Sequence, residues 1–388
     1  MRLIGTPEID FVGYRHVGAV ISGLLILVTI ASIVIQGGLR YGIDFAGGTQ
    51  VIVLFAEPPD LDRLRETLEV RVPDPRIQEF VSGGGREEVL IHTPQMDDDD
   101  SSLLADIHAA LNEYDPGGAT AGRELDFNTV SREALAGRLL EVNPLEFDKV
   151  VDLEAAAAEY ERIADLVLGA RDEEGLLRSW NDVEATNVDP RVFDWLQETF
   201  YFGGHAVIRQ EFVGPQVGAD LSRQTASAMV LALAGLLGYI SYRFEFHFGV
   251  GAVAALVHDV TIAIGAFSLT GREFNLPVVA AFLTIVGYSL NDTVVVFDRI
   301  RENAQQQRRM PLAERLNLSI NQTLSRTLLT SGTTLIVVLS VFLYGGPVIN
   351  DFAFALLVGV VVGTYSSIFV ATPIYYWLTE RAAQKPKK

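Results

Sequence analysis

The feature that most constrains this chain is a carboxylate inside a long apolar run. Residues 276–297 read LPVVAAFLTIVGYSLNDTVVVF, which at ~1.5 Å per residue is long enough to cross a bilayer as a helix. Asn291 and Asp292 lie in the second half of this run. A carboxylate in a membrane helix costs roughly 2.5–3.5 kcal/mol on insertion scales, so it normally has a buried partner or a function.

The preceding apolar run repeats the theme. Residues 246–269 are apolar except for His258 and Asp259 near their middle. Two adjacent spans that both contain ionisable groups are typical of a transporter or a proton-coupled machine, and not of an inert anchor.

Charge divides the chain into two parts. The 388 residues are 49% hydrophobic, yet the formal net charge is −19. Residues 38–223 contain 38 acidic and 16 basic residues, whereas the remainder has a net charge of +3. We therefore expect a strongly acidic polar domain inserted into a membrane part. Its acidity argues against a nucleic-acid partner, and the lack of cysteine excludes disulfides and thiolate metal sites.

Six runs are apolar enough to be membrane spans. They are residues 17–39, 225–242, 246–269, 276–297, 327–344 and 352–378. Arginine and lysine concentrate in the N-terminal segment, in the loop between spans four and five, and in the C-terminal tail. By the positive-inside rule, this places both termini in the cytoplasm and the acidic domain outside.

The domain boundaries follow from these spans. We predict a cytoplasmic N-terminus (1–16), a first span (17–39), an external domain (40–223), five spans (224–378) and a cytoplasmic tail (379–388). Leu312, Leu316, Ile320 and Leu324 form an apolar stripe with a spacing of four. This stripe predicts a helix lying on the inner membrane surface, within a cytoplasmic amphipathic segment at 299–326.

The external domain has the pattern β-α-β-β-α-β, which is that of a ferredoxin-like split unit. Its parts are residues 40–114 and 206–223. Residues 115–205 between them read as a helical insertion. The predicted fold class is an α-helical membrane protein with six transmembrane helices and an external α+β ferredoxin-like domain that carries a helical insertion.

Asp292 is the first candidate for chemistry. On a helix, Tyr288 and Asn291 share its side and could hydrogen-bond the carboxyl in either protonation state, which makes a tunable proton acceptor. The alternative is a carboxylate that only pins two helices through a fixed ion pair. Arg326, at the start of span five, is the natural partner, although an arginine there could also simply snorkel to the interface.

His258 and Asp259 are further candidates. A histidine near the midplane can relay protons, or it can be a neutral residue hydrogen-bonded to a neighbouring helix. The hydroxyl residues at 325–334 could line a water-filled path, but bonding back to their own helix is the commoner explanation. The glycine-rich run 41–48 lacks the Lys-Ser/Thr ending of a phosphate loop. We therefore expect no cofactor, no metal and no nucleotide-hydrolysing activity.

Several motifs resemble those of one family. They are GIDFAGGT (42–49), EFVGPQVG (211–218), HDV (258–260), FNLPVVAAFLTIVGYSLNDTVVVFDRIREN (274–303) and SINQTLSRTLLTS (319–331). Together they cover the six spans and both ends of the external domain. In these motifs the chain resembles the SecF branch of the SecD/SecF family of protein-export membrane proteins.

The resemblance implies a function in the Sec pathway. SecF proteins pair with SecD, join the SecYEG translocon in the cytoplasmic membrane and promote late steps of the export of unfolded polypeptides. The family is related to the proton-driven resistance-nodulation-division exporters. Its members carry a required aspartate in span four and an arginine at the start of span five, which correspond to Asp292 and Arg326. The 115–205 insertion departs from the usual compact external domain.

The leading hypothesis is a proton-driven auxiliary of secretion embedded in membrane lipid. Protonation of Asp292 would loosen its tie to Arg326, the spans would repack and the external domain would change its pose. Two rivals remain open: a small-molecule exporter with the same proton chemistry, and a scaffold that stabilises SecD or the translocon through a static pair. Sodium is an alternative coupling ion.

Overall fold

The structure is a computed structural model that describes residues 7–81, 87–94, 101–114, 125–147, 153–184, 186–243 and 245–384. It separates into two compact units. The membrane unit comprises Met1–Phe45 and Gly218–Lys388, and the polar unit comprises Ala46–Val217.

The elements of the first half alternate between short strands and helices. In chain order they are α1 (Arg15–Ile35), β1 (Arg40–Tyr41), α2 (Ile43–Ala46), β2 (Gly48–Phe55), α3 (Leu61–Glu69), β3 (Arg76–Val81), β4 (Glu87–Thr93), α4 (Ser101–Tyr114), β5 (Leu125–Asp126), α5 (Arg132–Val142), α6 (Leu153–Glu174), α7 (Trp180–Glu184), α8 (Pro190–Thr199), β6 (Phe200–Tyr201) and β7 (His205–Val213).

The second half is almost entirely helical. It contains α9 (Pro215–Arg243), α10 (Phe246–Thr270), β8 (Glu273–Phe274), α11 (Leu276–Gln306), α12 (Leu312–Tyr344), α13 (Gly346–Ser366), a π-helical turn (Ser367–Ala371) and α14 (Thr372–Gln384). Within the described residues, six helices are long and apolar enough to cross a membrane, the last being Ile349–Gln384 with the π-helical turn inside it. Each predicted span lies on one of them, so the sequence prediction of six spans is confirmed.

Residues 299–326, predicted as an amphipathic segment, belong mostly to two long helices. Residues 299–306 continue α11, and α12 runs unbroken from Leu312 through Arg326. Leu316 and Ile320 from the apolar stripe are buried in a cluster with Phe11, Val12 and Ile300. An amphipathic stripe indicates burial of one face without specifying what covers it, and here Leu316 and Ile320 of that face pack on protein.

Small residues join α1 to the rest of the membrane unit. The buried residues of α1 are Gly18, Ser22, Thr29 and Ser32, whereas its large apolar side chains are mostly exposed. Ser32 Oγ lies 2.8 Å from Ser268 Oγ on α10. Small side chains allow close approach of helix backbones, which is the usual way for membrane helices to associate.

The polar unit contains a four-stranded antiparallel sheet. The strand order is β3-β4-β2-β7, and the chain order is β2-α3-β3-β4-α4 followed, after the insertion, by β7. Alternate residues of β2, including Val51 and Val53, are fully buried with Leu64 and Leu68 of α3 and Ile107 of α4. The period-two pattern of the strands therefore meets the apolar faces of the two helices, as expected for a two-layer core.

The predicted helical insertion forms a core of its own. Phe127, Leu135, Tyr160 and Val167 are among its fully buried side chains. Asn128 links three segments of the insertion, since its amide donates to the carbonyls of Leu177 and Gly203 and accepts from the Leu177 N–H. The insertion is thus a compact subdomain over residues 125–203, within which 148–152 and 185 lie outside the described residues.

Candidate functional site

The most buried carboxylate of the membrane unit belongs to Asp259. Its side chain on α10 is fully buried and accepts three hydrogen bonds. Ser289 Oγ on α11 donates to Oδ2 at 2.5 Å, Ser366 Oγ on α13 donates to the same oxygen at 2.7 Å, and His258 Nδ1 donates to Oδ1 at 2.9 Å. Both carboxylate oxygens of Asp259 therefore have hydrogen-bond donors, which come from α10, α11 and α13.

His258 continues this network toward α1. Its Nε2 lies 3.0 Å from Ser22 Oγ, which lies 3.1 Å from the hydroxyl of Tyr365, and that hydroxyl donates to the Gly18 carbonyl at 2.7 Å. The Tyr365 hydroxyl has one proton and donates it to the Gly18 carbonyl. In the contact between Ser22 and Tyr365, Ser22 is therefore the donor. The His258 ring therefore connects Asp259 on one side with Ser22 and Tyr365 on the other.

Asp292 has different surroundings. Its side chain on α11 is only 2% exposed. Ser331 Oγ on α12 donates to Oδ2 at 3.3 Å, which is a long hydrogen bond, and Ser331 is in turn 2.7 Å from Thr364 Oγ1 on α13. Within the described residues, no arginine, lysine or histidine nitrogen lies within 4 Å of this carboxylate. Asp292 is therefore buried but weakly satisfied.

Two predicted neighbours of Asp292 do not contact it. Tyr288 donates to Ser331 Oγ at 3.3 Å and so reaches the carboxylate only through that hydroxyl. Asn291 is exposed on the other side of α11 and makes no hydrogen bond to Asp292 in the part of the chain described. Asn291 precedes Asp292 by one residue and Tyr288 precedes it by four, so the two side chains point in different directions from α11. The packing of α12 and α13 buries the side that carries Asp292.

Arg326 lies near Asp292 without pairing with it. It is exposed on α12, about one turn before the hydroxyls that surround the carboxylate. It acts on Asp292 electrostatically but forms no ion pair with it at 4 Å or less. The sequence placed Arg326 at the opening of span five, whereas the structure places it well inside the continuous helix α12.

Helix α13 contributes hydroxyl groups to the surroundings of both carboxylates, Asp259 and Asp292. A Cβ atom added at Gly363 would lie 3.0 Å from Ser289 Cβ, and one at Gly359 would collide with Ile285, so α13 and α11 are in close contact. This contact places Ser366 against Asp259 and Thr364 near Ser331. The π-helical turn follows directly at Ser367–Ala371, and such single turns occur frequently at functional sites.

The polar groups form a layer between two apolar clusters. We call the residues Ser22, His258, Asp259, Ser289, Asp292, Ser331, Thr364, Tyr365 and Ser366 the polar layer. Along α10 and α11 it is followed on one side by the Phe267 cluster (Ala263, Phe267, Val278, Ala281, Phe282, Ile285 and Ala355). On the other side lie Phe248, Phe297 and Ile300 with their neighbours.

Sequence reasoning missed the hydroxyl residues of this layer. Ser289 is one turn from Asp292, which offered a signal, but nothing in the sequence pairs Ser366 or Tyr365 with span three. Other hydroxyls behave as expected, because Thr330, Thr333 and Thr334 bond back to carbonyls of α12. In the described part of the chain, no group of three or more acidic or histidine side chains is arranged to hold a metal ion.

Six spanning helices around buried carboxylates define a multi-pass membrane protein with an intramembrane polar site. Two family profiles match the chain. "Protein export membrane protein SecD/SecF, C-terminal" matches residues 196–381, and "SecD/SecF GG Motif" matches residues 32–59.

Comparison with known proteins places the chain in a family. The protein translocase subunit SecF of Koribacter versatilis is 40% identical over 386 residues, covering 96% of this chain and 92% of that protein. SecF of Escherichia coli O157:H7 is 34% identical, with 95% and 88% covered. The chain belongs to the SecD/SecF family, and its relatives are subunits of the Sec protein-export machinery.

A solved structure has the same fold. The crystal structure of SecDF from Thermus thermophilus, described as a translocon-associated membrane protein, superimposes with a TM-score of 0.65 at 30% identity. The match covers 97% of this chain and 39% of the SecDF chain. In that protein a SecF-like part and the rest of SecDF form one polypeptide, which supports a partnership with SecD.

Proposed function

We propose that this chain is the ion-coupled SecF subunit of the export machinery and that Asp292 is the group that takes up and releases the coupling proton. The observation that supports this most strongly is the contrast between the two buried carboxylates. Asp259 has three close donors, whereas Asp292 has a long hydrogen bond from Ser331, the Thr364 hydroxyl nearby and no paired cation. A buried carboxylate with few donors is costly as an anion, and a bound proton removes that cost.

Arg326 modulates this site from a distance. Its charge acts on Asp292 without a direct ion pair, so the carboxylate stays free to exchange protons. A small movement of α12 toward α11 would bring the guanidinium closer and favour the ionised form. Loss or gain of the proton would thus change the preferred packing of α11, α12 and α13, as a two-state element requires.

His258 and Asp259 would act as the second part of the coupling site. Hydrogen-bond contacts run from His258 through Ser22 and Tyr365 to the Gly18 carbonyl. The buried His258–Asp259 pair would hold α10, α11 and α13 together and offer a second position for proton relay. Asn291 is exposed, which supports a lesser role for it.

The environment of the chain follows from the family and the charge pattern. We place it in the cytoplasmic membrane, with both termini in the cytoplasm and the polar unit on the outer face. The faces of α9 and α12, of which the apolar windows are only 6% and 17% buried, would contact lipid or SecD. SecYEG and the unfolded polypeptide would be further partners, and no nucleotide would be hydrolysed.

The polar unit would be the ferredoxin-like domain of this subunit. The antiparallel order β3-β4-β2-β7, with two helices on one face, supports that classification. The grip-and-release cycle on an emerging polypeptide would require this unit to change its pose as the polar layer changes protonation.

The decisive experiment measures export of a secreted reporter with the Asp292→Asn variant and SecD co-expressed. Proton and sodium gradients are imposed separately and then collapsed. Asp292→Asn should lose the gradient-dependent part of export while inserting normally. Glu302→Gln is the matched control, because Glu302 lies on the same helix in an exposed pair with Arg299 and should keep full coupling. Export of Asp292→Asn at the wild-type level under both conditions would instead support the scaffold.

A further inference from the structure

One arginine–carboxylate pair of the described residues is more buried than the others. Arg272 lies in the turn between α10 and α11, and it pairs with Asp351 at the start of α13. The two side chains are only 17% and 11% exposed. In the other arginine–carboxylate pairs of the described residues, both side chains are about a third or more exposed.

The surroundings of Arg272 tie three helix ends together. Its Nη1 donates to Asn350 Oδ1 at 2.7 Å as well as to Asp351. The guanidinium carbon lies 4.4 Å from the ring centre of Phe354 on α13 and 5.6 Å from that of Phe342 on α12. Asn350 Nδ2 donates to the Phe342 carbonyl at 2.8 Å. One cation therefore links the turn before α11 to the end of α12 and the beginning of α13.

This cluster covers one end of the polar layer. Between Arg272 and Asp259 lies the Phe267 cluster, in which Phe267 is 5.5 Å from Phe354 and 5.9 Å from Phe282 between ring centres. Phe354 touches both Arg272 and Phe267, so the ion pair rests directly on the apolar cluster. These side chains lie between this end of the helices and Asp259.

We propose that Arg272 and Asp351 form a latch that closes the route between this end of the helices and the polar layer. The proposal rests on the proposed coupling function, since a closed route matters only if ions move to the layer. In the proposed orientation the latch is on the outer face. With the latch closed, α11 and α13 keep the Phe267 cluster packed. With it open, the turn at Arg272 separates from α13 and the cluster becomes accessible to water.

A buried ion pair is suited to this task. Removing one partner leaves an uncompensated charge in a poorly solvated place, which strongly favours the arrangement that exposes it to water. The paired state is specific in geometry, because the planar guanidinium must meet the carboxylate and the two rings together. We therefore expect the pair to be either closed or open, with few partly paired arrangements.

Labelling of single cysteines tests the latch, because the chain contains no cysteine of its own. Ala281→Cys places a thiol in the Phe267 cluster, where Ala281 is fully buried. Ala252→Cys is the matched control in the apolar cluster on the other side of the polar layer, where Ala252 is 2% exposed. A membrane-impermeant methanethiosulfonate with a quaternary ammonium group is added to right-side-out and to inverted vesicles that contain the full chain with SecD.

With the latch intact, both thiols should react slowly. In the Asp351→Asn background, Ala281→Cys should react about tenfold faster or more from the Arg272 side, while Ala252→Cys stays slow. The exchanged pair Arg272→Asp with Asp351→Arg should restore slow labelling, and Arg272→Lys should be intermediate because it keeps the charge but loses the fork geometry.

Unchanged labelling of Ala281→Cys in the Asp351→Asn background would overturn the latch. So would an equal increase at both reporters, since that result indicates general loosening of the fold. Repetition in the Asp292→Asn background separates the two proposals, because the labelling does not require export. Fast labelling together with wild-type export by Asp292→Asn would retain the latch and reject Asp292 as the coupling residue.

Discussion

At the scale of single residues, the surroundings of each buried acid define what it can do. Asp259 receives hydrogen bonds from α10, α11 and α13 and therefore holds three helices together. Asp292 receives a 3.3 Å hydrogen bond from Ser331 and contributes little to packing. The two aspartates have the same side chain, so the difference in their roles comes from the residues around them.

Alanine substitutions should separate these tasks. Asp259→Ala leaves Ser289, Ser366 and His258 without an acceptor, so we expect it to destabilise the protein by about 3 kcal/mol. Asp292→Ala should change stability by no more than about 1 kcal/mol, because only one long hydrogen bond is lost. Thermal unfolding of the purified variants in detergent measures both values. Equal losses for the two variants would contradict the assignment.

Asp126 in the polar unit predicts a pH dependence of stability. Its Oδ1 accepts from the N–H groups of Asn128 and Gly203 at 2.9 and 2.8 Å. Burial raises the pKa of this carboxyl above its ordinary value of 3.8, although these hydrogen bonds oppose the shift. The folded protein then binds more protons than the unfolded chain between the two pKa values. Stability therefore falls as the pH rises from the unfolded pKa to the folded pKa and is constant above it.

Asp126→Asn should remove that pH dependence. An asparagine oxygen accepts the same two hydrogen bonds, and an amide carries no charge to desolvate. We expect the variant to match the wild type below the pKa of the unfolded carboxyl and to be more stable than the wild type at neutral pH. Limited proteolysis of the polar unit as a function of pH is the measurement. A wild-type pH profile in the variant would show that Asp126 is not the group responsible.

At the scale of elements, the glycine-rich segment after α1 contacts the first residue of α11 and caps that helix. Asp44 Oδ2 accepts from the Leu276 N–H at 2.8 Å, at the first residue of the helix that carries Asp292. Strand β1 pairs in parallel with β8, and the Gly42 N–H donates to the Phe274 carbonyl at 3.1 Å. The sequence excluded a phosphate loop here without indicating this role. The segment caps α11 and fixes where that helix begins.

Asp44→Ala should therefore cost about 1 kcal/mol of stability, which is the usual loss when a capping side chain is removed. Asp44→Asn is the control, since the amide oxygen still accepts from Leu276 and most of the stability should remain. Denaturation midpoints in detergent give both numbers. A larger loss for asparagine than for alanine would exclude capping as the role of Asp44.

Glycines on neighbouring helices should respond in opposite ways to alanine. A Cβ atom at Gly359 of α13 meets Ile285 of α11, whereas one at Gly332 of α12 meets nothing within 4 Å. Gly359→Ala should thus cost about 1–3 kcal/mol through overpacking. Gly332→Ala should be neutral or stabilise by up to about 1 kcal/mol, because alanine loses less entropy in a helix. Melting temperatures of the two variants test this contrast.

At the scale of the whole molecule, the chain combines two units with opposite solvent requirements. The polar unit has its own apolar cores beneath the sheet and within the insertion. The membrane unit exposes large apolar side chains on α1, α9 and α12 and buries the carboxylates of Asp259 and Asp292. This is the reverse of a soluble domain and is the arrangement expected when lipid is the solvent.

Single cysteines should report the orientation of the two units. Asp62→Cys lies on the polar unit, where the Asp62 side chain is 92% exposed, and Gln306→Cys lies at the exposed end of α11. An impermeant maleimide applied to intact cells should label the first and not the second, and the pattern should reverse in inverted vesicles. Labelling of both from one side would reject the proposed topology.

The sequence by itself determined the number and order of the spans, the acidic inserted domain and the family. Periodicity and composition are local properties, and burial of apolar runs in lipid follows from them directly. The pattern of a membrane helix also pointed to Asp292 and Asp259, because ionisable groups in such runs are expensive wherever the helix packs.

Only the tertiary structure decided how these groups are partnered. Whether Asp292 pairs with Arg326, whether Ser366 reaches Asp259 and whether Arg272 is buried with Asp351 depend on which helices touch and how they are rotated. Contacts between residues far apart in the chain, such as Arg272 and Asp351, leave no periodic trace in either segment. The apolar stripe at 312–324 is a further example. Its apolar face has to be buried, but the sequence does not specify whether lipid or protein buries it.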